Sequence, residues 1–270
     1  MYAFFLDKSA QDSQTLQDYL QDWKQKNKIA GQDFLIENVD QITTICTDKG
    51  REFSTVVAVG GEDTFQAVVG ESKNFEDKTV LAYIPTSTND LTKRIAVRDY
   101  KEACEVIAQR KIIELTALSV NSQYFLFNYE INIVHGEDGS TPTSHIHLDK
   151  AIQLDLPTDN IILHNRYQEL LPHNSPLIIE GFSKNIISSD KRSIFKLASH
   201  RIGKIGENEK RLQLRMPATR IRVDSEARLV SGSGKVLKKP LNIGLNKRPI
   251  RLIVKRGQEM QAVLSPGLIS

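Results

Sequence analysis

The sequence predicts an α/β amino-terminal domain with a doubly wound, mostly parallel sheet, followed by a mainly antiparallel β-sandwich. Three observations predict this order. Up to about residue 110, short apolar runs alternate with amphipathic helical patterns, as strands and helices do in βαβ units. From Lys111 onward, β-like runs follow one another with turn signals between them, the pattern of a sandwich or barrel. Residues 55–70 join a β-branched apolar run to Gly60-Gly61 and then to a helical pattern with Phe65, Val68 and Val69.

Each element has its own reason. Residues 2–6 form a first apolar strand, and Asp7-Lys8-Ser9-Ala10 a loop at its carboxyl end. Leu16, Leu20 and Trp23 lie at helical spacing, which predicts an amphipathic helix over residues 13–26. A second strand is expected at 33–37, and Asp40 is placed to cap a short helix to Thr47. The run 55–59 reads as a strand buried on both faces, and Glu62, Asp63 and Thr64 suit a helix N-terminus. A further strand at 80–84 ends at Pro85 and the polar run Thr86-Ser87-Thr88-Asn89-Asp90, and a helix follows at 100–109.

In the second part, β-like runs lie at 112–120, 124–134, 151–156, 177–179, 211–215, 219–223 and 250–254. Turns are expected at 135–140 and 231–234, a helix at 190–198, and an apolar tail at 263–269 that returns to the first domain. The domains expected are 1–118, completed by 257–270, and 119–256.

The chain has 270 residues, 40% hydrophobic and 26% charged, an ordinary composition for a soluble chain with a sizeable core. No basic region precedes residues 2–6, which excludes a signal-peptide reading, and no run approaches the ~18 apolar residues of a membrane span. The expected location is cytoplasmic, with peripheral contact at a membrane. Cys46 and Cys104 cannot build a disulfide framework or a metal cluster and read as buried small apolar residues. Charge is divided unevenly, with 20 Lys/Arg against 28 Asp/Glu in residues 1–200, and 16 against 4 in residues 201–256. That basic segment suits an anionic membrane surface or nucleic acid, and equally a solvated basic β surface.

Gly60 and Gly61 end a buried strand where open α/β sheets bind ligands, and lacking side chains they let backbone N–H groups approach a phosphate. A tight turn is the competing reading. The loop of residues 85–90 follows another parallel strand and so lies at the same sheet edge, with Thr86, Ser87, Thr88 and Asn89 offering donors for phosphate or ribose. Together the two loops favour a nucleotide site. His145 and His147, two apart on a strand, are a metal pair with no third ligand in sight or simply packing histidines, and no residue is assigned as a metal ligand.

These loops carry a resemblance. Gly60-Gly61-Glu62-Asp63-Thr64 and the Phe-Gln-Ala-Val-Val-Gly that follows resemble the G-G-D-G-T loop and helix of the diacylglycerol kinase type lipid kinases. Pro85-Thr86-Ser87-Thr88-Asn89-Asp90-Leu91 is similar to their P-x-G-T-x-N-D-F segment, Phe127-Asn128 to their F-x-N, and Asp224-Ser225-Glu226 to their D-G-E. The resemblance implies an NAD kinase/diacylglycerol kinase-like α/β domain followed by a β-sandwich. It implies an ATP- and Mg²⁺-dependent transfer of the γ-phosphate to a lipid hydroxyl at the cleft between the domains. Gly60, Gly61, Glu62, Asp63, Thr64, Ser87, Thr88 and Asn89 would belong to the ATP site, with Lys8 and Ser9 near the phosphates. Asp224 or Glu226 would act on the hydroxyl, and turn or edge-strand carboxylates remain the plainer reading of both. Arg220, Arg222 and Arg228 would form an anionic-lipid patch or neutralise nearby acids. The implied partner is a diacylglycerol-like lipid at a membrane surface and no nucleic acid, with a homodimer left open.

The sequence also departs from that pattern. Glu62 stands where the family has Asp, Asp63 where it has a third glycine, and Ala67 where it has a helix Glu. Asp7-Lys8-Ser9-Ala10 stands for N-P-x-S-G, the second loop is one residue short, and Asn174-Ser175 replaces an Asp-Gly pair. Two bare acids would repel a triphosphate unless a cation lies between them. The alternative is therefore a catalytically impaired paralogue that binds nucleotide or lipid without turnover, and the related NAD kinases are a third reading.

Overall fold

The computed structural model describes residues 1–126, 129–134, 142–149, 152–157, 160–164, 177–183, 212–218, 220–232, 234–246 and 248–255. In chain order its strands are β1 Tyr2–Leu6, β2 Gly31–Leu35, β3 Thr55–Gly60, β4 Val80–Pro85, β5 Ile112–Leu115, β6 Leu118–Val120, β7 Gln123–Phe125, β8 Tyr129–Val134 and β9 Thr143–Leu148. They continue as β10 Ile152–Pro157, β11 Asn160–His164, β12 Leu177–Ser183, β13 Leu212–Ala218, β14 Arg220–Ser225, β15 Arg228–Ser231, β16 Leu241–Leu245 and β17 Ile250–Ile253. The helices are α1 Lys8–Gln11, α2 Gln14–Lys26, α3 Val39–Lys49, α4 Glu62–Gly70, α5 Asp90–Ile95 and α6 Tyr100–Gln109. The chain divides into two units, Met1–Ala117 joined by β17, and Leu118–Asn246.

In the first unit the sheet order is β2-β1-β3-β4-β17-β5, parallel except where β17 meets β5. Every residue of β3 and β4 is buried, as the unbroken apolar runs require of strands covered on both faces. Alternation sends Phe4 one way, under the Lys24 ammonium of α2 at 3.8 Å, and Phe5 the other, against Phe34 and Phe53. α2 packs with α6, and α3 with α4. Cys46 and Cys104 are buried and unpaired, and burial pushes each thiol up to about 12.

The second unit is a sandwich of two antiparallel sheets, β10-β9-β14-β16-β6-β7 and β13-β12-β11-β8-β15. Ile146, Leu148, Ile221, Val223 and Ile243 of one sheet meet Tyr129, Ile131, Ile161, Leu163 and Leu229 of the other in a single core. β8 and β14 alternate between buried and more exposed positions, the period-2 signature of a strand wet on one side.

Several expectations need correction. The residues 7–10 are not a loop, because Asp7 accepts the Ala10 N–H and so caps α1. α3 starts one residue before Asp40, because Asn38 supplies the cap. β2 lies two residues earlier than 33–37, and α5 was not expected. The run 112–120 splits into β5 and β6 in different units, and 124–134 into β7 and β8. Ile250–Ile253 joins the first sheet between β4 and β5 rather than the sandwich. The short run Ile250-Arg251-Leu252-Ile253 carries no mark of which sheet it will enter, and in the structure Arg248 and Arg251 tie it to the first sheet beside its ladder. They donate to the carbonyls of Phe75 and Lys78 beside β4. The expected turn at 135–140, the helix at 190–198, Phe127-Asn128, Asn174-Ser175 and the tail 263–269 lie outside the described residues.

β17 is held beyond its own ladder. Lys255 reaches back to the buried Glu102 of α6 at 2.5 Å, and Glu102 also accepts from the Arg98 side chain at 3.0 Å and the Arg98 amide at 2.8 Å. These bonds, that from Lys255 foremost, hold the Glu102 carboxyl down to about 2 from 4.5. A folded value below the unfolded one means stability that is complete above about pH 4.5 and lost as pH falls through about 2. Replacing Glu102 by Gln is expected to lose ~1–3 kcal/mol at pH 7 and to flatten the pH dependence across that window, by urea denaturation. Equal losses at pH 7 and pH 2 would contradict it.

Candidate active site

Three strand ends meet at one edge of the first sheet. Leu6 is level with Val59, Val59 with Ile84 and Gly60 with Pro85, so the segments after β1, β3 and β4 emerge side by side. Their polar groups bond to each other. Gly60 O accepts the Thr86 amide at 3.2 Å and the buried Tyr83 hydroxyl at 2.9 Å, and the Asn89 Nδ2 donates to Tyr83 Oη at 2.8 Å. The other end of the Asn89 amide caps α5, its Oδ1 accepting the Thr92 N–H at 2.9 Å.

The centre of the site is Asp7. Its Oδ2 accepts the Gly61 N–H at 2.7 Å and the Thr64 hydroxyl at 2.8 Å. Its Oδ1 accepts the Ser9 hydroxyl at 2.6 Å and the Ala10 N–H at 3.1 Å. Since Ser9 donates to Asp7, the 2.8 Å bond between Ser9 and Thr86 is donated by Thr86. Burial pushes the Asp7 carboxyl up, but the bonds from Ser9, Gly61, Thr64 and Ala10 outweigh it and hold it below the usual value. Gly61 provides no side-chain cap for α4, and Asp7, from the cap of α1, takes the Gly61 N–H and the Thr64 hydroxyl beside that helix start.

Gly60 is required by this contact. Its φ is +146°, and a Cβ built there would stand 1.9 Å from Asp7 Oδ2. The two acids that follow do not converge. Asp63 is exposed, whereas Glu62 accepts the Leu91 N–H at the start of α5, and burial foremost raises its carboxyl. Lys8, Ser87 and Thr88 are exposed around the same edge, and Thr64 is buried.

The other predicted residues lie in the second unit. Asp224, the penultimate residue of β14, sits across from His145 on β9, which in turn sits across from Asp155 on β10. His145 Nδ1 and Asp155 Oδ1 are 2.7 Å apart, a bond that foremost raises the imidazole and lowers the carboxyl. His147 shares the face, with Arg222 and then Asn242 beside it. An open depression of about 920 Å³ is lined by Asp224, His145, His147, Arg220, Arg222 and Asn242, among others. The turn after Asp224 is fixed by Lys239, whose ammonium donates to the carbonyls of Ser225, Glu226 and Ala227 at 2.6, 3.2 and 3.1 Å. Glu226 is exposed, and among the described residues no group of three or more His, Cys, Asp or Glu side chains is arranged to hold a metal ion.

The structure thus brings Ser9, Gly60, Gly61, Thr64 and Asn89 together, and places Asp224 and Glu226 on the other unit. Asp7 and Tyr83 are the members that sequence reasoning did not assign to the site, whereas Thr86 was named among the donors of the second loop. Asp7 carried a signal, since it opens the segment that stands for N-P-x-S-G, but the sequence did not reveal its partner 54 residues away.

Residues 2–120 match the family model for the diacylglycerol kinase catalytic domain. A solved diacylglycerol kinase from Bacillus anthracis str. Sterne is similar at a TM-score of 0.65 and 16% identity, over 94% of this chain and 96% of that one. An NAD kinase from Archaeoglobus fulgidus in complex with ATP is similar at 0.58 and 11% identity, over 97% of each chain. No curated protein matches the chain. Both structural likenesses are likenesses of fold.

The packing at Gly60 makes a direct prediction. Gly60→Ala is expected to destabilise the chain by ~1–3 kcal/mol, since alanine rarely adopts that φ and its Cβ would displace Asp7. Thermal or chemical unfolding reads this, and a change below ~0.5 kcal/mol, the scatter of ordinary surface substitutions, would contradict the assignment.

Proposed function

We propose, from the match of residues 2–120 to the family model for the diacylglycerol kinase catalytic domain, that this chain is an ATP-dependent kinase of that family whose acceptor is the hydroxyl of a diacylglycerol-like lipid. One observation carries the reading. The β3–α4 turn holds an oxyanion in this structure, the Asp7 carboxylate, through a backbone N–H and a hydroxyl, the donor chemistry that a phosphate needs.

That donor set fits a nucleotide's phosphates. Gly60, Gly61, Thr64, Ser87, Thr88 and Asn89 would hold ATP, with Lys8 and Ser9 toward its phosphates. ATP when bound supplies the phosphoryl group. The backbone of the turn orients and neutralises charge, and the Lys8 ammonium adds a point charge at the exposed rim. Among the described residues no three His, Cys, Asp or Glu side chains are grouped to hold Mg²⁺ by themselves, so the nucleotide's phosphates would supply part of its coordination. On the second unit Asp224 is the group proposed to take the acceptor's proton. Its Oδ1 accepts the Ser225 N–H at 3.0 Å, and Oδ2 would receive the proton.

A specific observation favours the second reading, binding without turnover. The Gly61 amide and the Thr64 hydroxyl are already engaged by Asp7, which opposes seating a nucleotide's phosphates for transfer while leaving the rest of the site free to hold a ligand. Transfer of labelled γ-phosphate from ATP to mixed micelles containing diacylglycerol decides between the two, with NAD as a parallel acceptor. Lipid product is expected from the parent, and about 100-fold less or lower from Asp224→Asn, the scale of a lost general base. Nucleotide binding without product on any acceptor would establish the second reading, and product on NAD alone would establish an NAD kinase.

We further propose a peripheral contact between the exposed Arg220, Arg222, Arg228, Lys235 and Lys238 and an anionic lipid surface. Binding to vesicles containing phosphatidylserine is expected to fall steeply between ~0.05 and ~0.5 M salt as the Debye length shortens. Salt-insensitive binding would overturn it.

A further inference from the structure

Asp7 stands where the sequence leads one to look for a phosphate. Its two carboxylate oxygens take four donors, the Gly61 and Ala10 amides and the Ser9 and Thr64 hydroxyls. Thr86 then gives its hydroxyl proton to Ser9, so the polar groups of all three segments end in one chain that closes on a single anion. The fit is close enough that the α-carbon facing the carboxylate has to be glycine.

A helix N-terminus carries about half a positive charge, spread over its first free amides, and one anion there uses much of it. A second anion on the same donors meets like charge at a few ångströms in a half-buried setting, where repulsion is not well screened. The acids nearby add to that, since Glu62 and Asp63 follow Gly61 directly and Asp90 opens α5. The facing cations are Lys8, and Lys93 and Arg94 on α5, of which Lys93 pairs with Asp90 at 3.0 Å.

We propose that Asp7 is a built-in competitor for phosphoryl oxyanions at the nucleotide loop, a residue that positions the loop and at the same time lowers its affinity for nucleotide phosphates. This rests on the nucleotide-site reading of the Gly60-Gly61 turn given above. In the ligand-free form the carboxylate keeps the turn, Thr64 and Thr86 in one arrangement. When a phosphate enters, it takes the Gly61 amide and the Thr64 hydroxyl only as Asp7 gives them up. Asp7 touches neither acceptor nor reacting atoms and acts through the loop.

The test compares the full chain with Asp7→Asn and Asp7→Ala, reading the ATP dissociation constant by calorimetry with and without Mg²⁺ and the unfolding midpoint against inorganic phosphate. Asp7→Asn keeps the shape, drops the charge and leaves one acceptor oxygen in place of two, and is expected to bind ATP at least tenfold more tightly without Mg²⁺. Asp7→Ala empties the position, and is expected to gain a saturable rise of its midpoint with inorganic phosphate that the parent lacks. Circular dichroism reports whether each variant folds, and if one does not, the other carries the test. Equal ATP affinity in all three proteins would overturn the inference and leave the nucleotide reading intact. No ATP binding by any of them, with phosphate stabilising Asp7→Ala alone, would uphold the competition and overturn the nucleotide reading. No response of either variant to ATP or phosphate would overturn both.

Discussion

The carboxylate of Asp7 is the interaction on which the candidate site depends. A parallel sheet brings strand ends to one edge as a matter of topology, but it does not make the segments beyond them cohere. Here a single side chain collects donors from the first turn of α1, from the β3–α4 turn and from α4 itself. Through Ser9 it also reaches Thr86 beyond β4. The rest follows from that contact. Gly60 takes a φ open to glycine, α4 starts without a cap of its own, and Tyr83 is left to bridge Gly60 to Asn89.

The second unit solves a different problem with similar means. A turn between β14 and β15 places several carbonyls close together, an arrangement that water or a cation has to satisfy. Lys239 supplies the cation to three of them, and Ser225 is buried with its hydroxyl donated to Thr143 O. The serine that stands in the middle of Asp224-Ser225-Glu226 therefore has a packing role of its own. Asp224 beside it remains partly exposed and shares a face with His145, His147 and Arg222.

The fold was largely legible because hydrophobic period is a local property. The unbroken runs at β3 and β4 and the 3.6-residue spacing of Leu16, Leu20 and Trp23 name their elements without help from the rest of the chain. Residues 250–253 show where this stops. Their composition suits either sheet, and their place between β4 and β5 is fixed by ladders to both strands and by arginine bonds to carbonyls 173 residues earlier. β9 and β16 were missed because their apolar residues, Ile146 and Leu148 in one and Leu241, Ile243 and Leu245 in the other, are few and separated by polar residues or glycine, a weaker signal than an unbroken run. The site was legible as a set of loops, not as a bonding pattern. Thr64 and Gly61 could be named from the turn, but that their partner is a carboxylate from β1's end is a fact of three dimensions.

That partner changes the meaning of the glycine turn. Two glycines after a buried strand are open to both a tight turn and a phosphate site, and the structure gives a third answer in which the turn holds an oxyanion that the chain supplies. Such an anchor stabilises the loop by the hydrogen bonds it makes, and charged acceptors strengthen each of them. The same bonds oppose any phosphate that needs the same donors, because a helix terminus has few of them and its partial charge is shared. Loop order and phosphate affinity are therefore in tension at Asp7. A neutral acceptor at that position would keep much of the first while relaxing the second, which is why the charge of this one side chain, more than the bulk of Glu62 or Asp63, governs what the turn can bind.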